Sequence, residues 1–188
     1  MHNHNFLAIA TAPVLTEKTA QALELNKILK EKSITTFFQP IVNLQDGSVL
    51  GYEALSRGPL NSILASPDQL FSVANDLEKT WELDYLCRIT AIETAFPSIN
   101  DKILFINVDP KVLYDKFFHH GSTKVILAEH TIDISQIVFE ITEKTAITDL
   151  ANFKDILENY RSQGYRLALD DVGSGYSGLT LLAQTSPQ

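Results

Sequence analysis

Four oxygen-bearing side chains occupy the same place in four separate apolar runs. Glu53 follows Leu50-Gly51-Tyr52, and Asn107 follows Leu104-Phe105-Ile106. Glu140 follows Ile137-Val138-Phe139, and Asp170 follows Leu167-Ala168-Leu169. Carboxylates and an amide oxygen, with no His or Cys among them, suit a hard dication such as Mg2+ or Mn2+ better than zinc. Taken singly, a carboxylate at a strand end is ordinarily a helix cap or a solvated loop residue. Four on successive strands together make a candidate for one shared metal site.

The runs that must position them alternate with helical patterns. Residues 1–16 show no clear period and read as a tail or linker; 17–188 read as the domain, with a lead helix over 17–32. Thr35 to Val42 and Val49 to Leu55 are expected strands around a turn at Gln45-Asp46-Gly47-Ser48. Ser66-Pro67-Asp68-Gln69 has the form of a capped helix start. A helical face is expected through Leu70, Val73, Leu77 and Trp81, and a second helix through Leu86, Ile89, Ile92 and Phe96. Lys102 to Val108, Gln136 to Ile141 and Arg166 to Asp170 complete the expected strands. A short helix opens at Asp109-Pro110, Thr148 caps a helix that Gly164 ends, and Leu179 to Ala183 reads as helical. The expected fold class is α/β, with a mostly parallel sheet covered by helices. Doubly wound sheets and closed barrels both fit; in a barrel the strand ends would gather on one face.

Composition narrows the ligand. The 188 residues are 45% hydrophobic and 20% charged, with a formal net charge of −8, which argues against DNA or RNA as a partner because groove binding needs clustered Lys and Arg. A small phosphorylated ligand stays open, since cations can supply positive charge locally. Cys87 is the single cysteine, so no disulfide and no thiolate cage is expected; it reads as a small buried apolar residue. No apolar run reaches the ~20 residues of a membrane span. No Lys or Arg precedes Phe6 to Leu15, which does not read as a signal peptide, and a reducing cytoplasmic setting is the default. The five histidines, His119, His120 and His130 among them, lie in tail- or loop-like sequence and read as solvated.

The longer motifs carry a resemblance. Phe38-Gln39-Pro40-Ile41-Val42, Gly51-Tyr52-Glu53-Ala54-Leu55-Ser56-Arg57-Gly58, Asn107 in Phe105-Ile106-Asn107-Val108, and Phe139-Glu140-Ile141-Thr142-Glu143 stand in order. Leu169-Asp170-Asp171-Val172-Gly173-Ser174-Gly175-Tyr176-Ser177 follows, with Val172 where a Phe is usual. Over residues 34–188 the chain resembles the EAL family of cyclic di-GMP phosphodiesterases. The resemblance implies a TIM-type (β/α) barrel whose first strand is antiparallel to the rest, and metal-assisted hydrolysis of cyclic di-GMP to the linear dinucleotide. It implies that Glu53, Asn107, Glu140 and Asp170 hold a first metal, and that Asp171 serves a second metal or its bridging water. It further implies that Leu55 and Arg57 contact substrate and that Glu143 braces the Asp170–Tyr176 loop, with Mg2+ or Mn2+ as the cation. An EAL-like receptor that binds the dinucleotide or protein partners without cleaving it is the alternative.

Gly173-Ser174-Gly175-Tyr176-Ser177-Gly178 also spells the G-x-G-x-x-G of dinucleotide-binding folds. Asp170 and Asp171 would oppose a pyrophosphate there, and the loop comes late where that fingerprint opens its domain. The family's later Lys, Asp, Glu and Gln are absent, so about five strands of a barrel are expected here, incomplete at the C-terminus. Two unpaired strand edges would then favour self-association, for instance as a homodimer, and weak or absent turnover by the chain alone.

Overall fold

Thr16 stands extended and accepts the Thr19 N–H at 3.3 Å, which starts α1 (Glu17–Glu31); Lys32, at a left-handed φ of 52°, ends it. The computed structural model describes residues 16–142 and 150–170. β1 (Thr35–Val42) and β2 (Val49–Arg57) form an antiparallel hairpin. Its turn is closed by Asp46, which accepts from both the N–H and the hydroxyl of Ser48. α2 (Pro67–Asp76) and α3 (Thr80–Ile99) lead to β3 (Ile103–Asn107), and α4 (Ser122–Glu129) leads to β4 (Ile137–Thr142). α5 (Leu150–Ser162) precedes β5 (Arg166–Asp170).

One five-stranded sheet results, in the order β1-β2-β3-β4-β5, with β2 through β5 parallel. The antiparallel first strand matches what the resemblance implied. Among the described residues strand order follows chain order, without the reversal that a doubly wound sheet contains. Leu104, Ile106, Phe139 and Ile141 pack against Ala91, Ile92, Phe153 and Ile156 of α3 and α5. Because strand side chains alternate, Asn107 and Glu140 are turned to the other, less buried face. A second cluster joins Leu25 and Ile28 of α1 to Leu70, Val73, Leu86 and Cys87. Burial pushes the Cys87 thiol up to about 12, as suits the apolar role read from sequence.

Three local readings are corrected. Ser66 is extended but makes no side-chain cap bond, so Pro67 at the first turn carries that helix start. The face through Leu77 and Trp81 belongs to two helices, because Glu78 adopts φ 55° and the Lys79 N–H returns to the Ala74 carbonyl at 2.8 Å. α4 lies between His119-His120 and His130, in a stretch that sequence reading left without an element. Thr148 and Leu179 to Ala183 lie outside the described residues.

Gly51 marks where β2 meets β3 most closely. A Cβ there would stand 2.3 Å from the Ile103 carbonyl oxygen, so the two strands could not keep their spacing. Gly51→Ala is therefore expected to cost about 1–3 kcal/mol, read as a lowered urea midpoint with an unchanged slope.

Candidate functional site

Glu53 and Asn107 project from adjacent strands and touch: Asn107 Nδ2 donates to Glu53 Oε1 at 2.9 Å. That bond occupies the donor side of the amide, which leaves Oδ1 as the atom suited to a cation. Asn107 stands directly opposite Glu140 in the parallel register, and the Val108 N–H donates to the Glu140 carbonyl at 3.0 Å. Asp170 stands opposite Thr142, two residues beyond Glu140, and so lies on the same face of the sheet. Four strands thus bring these side chains to one face.

Glu140 is the group under electrostatic load. Burial, then the charges of Glu53 and Asp170, push its carboxyl up to about 7. Its Oε2 is buried without a hydrogen-bond partner among the described residues. Desolvation and like charge both penalise the carboxylate, and a dication would relieve both. The donor set fits a hard cation, although among the described residues no group of three His, Cys, Asp or Glu side chains forms a ready cage. Asp171 and Glu143 lie outside the described residues.

A linkage follows from Glu140. The folded state holds its proton more tightly than an ordinary carboxyl near 4.5, so the penalty of the carboxylate on folding is full above pH about 7. That penalty fades as pH falls from about 7 toward 4.5. Glu140 should therefore make the metal-free chain more stable at pH 6 than at pH 8. Glu140→Gln should flatten that part of the profile, as urea midpoints at a series of pH values will show.

Leu55 and Arg57 continue along β2 from Glu53 with the strand period of two, so all three share a face. Arg57 is half-buried, with Nη1 donating to the Ser56 carbonyl at 2.8 Å. Its planar fork suits phosphate oxygens. Sequence reading missed Asp84 and Arg88 on α3, which form an ion pair behind the site. Opposite charges four residues apart inside a largely apolar helix were the signal that could have found them.

The chain is similar to several known proteins. The family model of the EAL domain matches residues 22–188. The probable cyclic di-GMP phosphodiesterase PdeI of Escherichia coli is 31% identical over 80% of this chain and 20% of its own length. BlrP1 of Klebsiella pneumoniae, in its pH 6 complex with manganese and cyclic di-GMP, superposes with a TM-score of 0.71 at 31% identity. That match covers 82% of this chain and 39% of BlrP1. A standalone EAL protein of Vibrio cholerae bound to cyclic di-GMP gives a TM-score of 0.64 at 38% identity, over 80% of this chain and 62% of its own. The chain thus spans a fifth of PdeI and under two thirds of either solved protein. Among the described residues no helix is long and apolar enough to cross a membrane. Motifs, sheet topology and these likenesses agree, and the chain belongs to the EAL-domain family.

Proposed function

We propose that this chain carries the cation-binding and phosphate-binding residues of a metal-dependent phosphodiesterase that opens cyclic di-GMP to its linear form, within a TIM-type barrel. The observation that carries the reading is the meeting of Glu53, Asn107 and a destabilised Glu140 on one face of the sheet. Glu53, Asn107, Glu140 and Asp170 would hold Mg2+ or Mn2+, and Asp171 would serve a second cation. Bound dications supply charge neutralisation and a more acidic water. Arg57 binds a phosphate oxygen of the substrate, and Leu55 packs beside it. Glu143 would brace the residues that follow Asp170. The single, unpaired Cys87 suits a cytoplasmic setting.

Support comes from chemistry as well as kinship. An acidic chain of net charge −8 meets an anionic dinucleotide only where cations or a guanidinium offset repulsion, and the proposed ligands and Arg57 would supply both. The test is a hydrolysis assay with cyclic di-GMP under Mg2+ and Mn2+ titration, run beside equilibrium dialysis of the same ligand. Appearance of the linear dinucleotide supports the enzyme. Binding without product would assign the receptor alternative instead. Arg57→Ala should weaken ligand binding about 10–100-fold, the worth of a charged hydrogen bond of about 1.5–3 kcal/mol, and dialysis measures this whether or not turnover occurs.

A further inference from the structure

We propose that the buried Asp84–Arg88 pair is a positioning device for the candidate cation site, fixing the strand ends that bear Asn107 and Glu140; this rests on the reading of that site given above. Asp84 and Arg88 are 3% and 2% exposed and face each other one turn apart on α3. A buried ion pair of this kind contributes little stability over well-packed apolar side chains of the same volume. What it adds is direction.

Each partner reaches a different ligand. Asp84 uses its second oxygen, Oδ1, to accept the Asp109 N–H at 3.1 Å, two residues beyond Asn107. Between them the Val108 N–H donates to the Glu140 carbonyl at 3.0 Å. Two hydrogen bonds joined through the Val108–Asp109 backbone therefore link α3 to the backbone of Glu140. Arg88 supports the other side. Its Nη1 donates to Thr123 Oγ1 at 2.9 Å, and its guanidinium carbon lies 5.3 Å from the ring centre of Phe139, the residue before Glu140. Phe139 is fully buried and packed on Tyr160 and Tyr165, so it fixes the strand from behind while Glu140 faces the site.

Apolar packing of Leu104 and Ile106 holds β3 against the helices but does not set the rotation of the segment after Asn107. A directional bond to a rigid helix does, and a cation site needs its ligands held to within about 0.5 Å. The Asn107–Glu53 contact is the visible product of that control.

The double substitution D84L/R88M removes the pair without leaving an unpaired charge, so the chain should stay folded. Nitrogen-15 NMR of the chain then reads the Asn107 side-chain amide. Its exchange with solvent should speed up about tenfold in D84L/R88M, while backbone amides of Ile103–Ile106 stay protected. Manganese chloride supplies the second arm: the concentration that broadens this signal should rise about 10–100-fold, the usual effect of losing an orienting partner. Arg88→Lys keeps the charge beside Asp84, loses the fork, and is the variant to read should the double variant not fold. The same two shifts, smaller, are expected in it. An unchanged Asn107 amide in the folded variant overturns the proposal. If wild-type chain shows no manganese broadening, the cation-site reading fails, and the amide arm still decides the positioning role.

Discussion

If the proposed activity holds, Glu53→Ala is expected to lower cyclic di-GMP hydrolysis at least about 100-fold in a protein that carries this chain and turns the dinucleotide over. Loss of an orienting partner behind a metal ligand typically costs about 10–100-fold, and Glu53 is placed to be a ligand itself. The substitution also frees the Asn107 amide, whose Nδ2 would lose its acceptor at 2.9 Å. Two of four proposed ligands are thereby disturbed by one change. Raising Mg2+ or Mn2+ should recover little of the rate, because the missing oxygen cannot be replaced by mass action alone. Normal turnover by Glu53→Ala, measured as linear dinucleotide formed, would remove Glu53 from the metal site.

The largest effect on stability is expected at Arg88→Ala. Asp84 would be left buried without its counter-ion, and the guanidinium would vanish from between Trp81 and Phe139. Breaking a buried pair by removing one partner costs about 3–5 kcal/mol, a large share of the ~5–15 kcal/mol available to a typical domain. Urea unfolding followed by circular dichroism should show a midpoint lowered accordingly, or no folded baseline. A loss under about 1 kcal/mol would show that Asp84 finds water or another partner.

Much of the architecture was legible in residue order. Each strand reads as a short apolar run, and the polar residue that closes it is conspicuous because its neighbours are not polar. That is why Glu53, Asn107, Glu140 and Asp170 could be named as one set before any coordinates. The contact between Glu53 and Asn107 was not legible, since register between parallel strands is settled by helices packed behind them. Periodicity also failed where a turn preserved phase. Leu77 and Trp81 keep a helical spacing although Glu78, at positive φ, breaks the helix between them. α4 went unseen because it starts from Gly121 at φ 82° with no side-chain cap, so its first turn carries no start signal. Asp84 and Arg88 were overlooked for a related reason. Charges in a helix suggest a solvated face, and only packing reveals that this face is covered.

The load on Glu140 bears on how such a chain drifts under mutation. Metal-free, this carboxylate sits at a cost to the fold, with its charge opposed by burial and by two other acids. Replacing it by a neutral residue relieves the fold while ending the chemistry proposed for it. Folding alone therefore gives no reason to keep Glu140, and most random changes at that position that preserve volume would be tolerated or even favoured by stability. Wherever a lineage ceases to need the proposed hydrolysis, Glu140 is the residue free to go first. The helix-covered face, with its Phe139 and Ile141, would remain intact. A domain built this way can lose the proposed chemistry and still keep its shape.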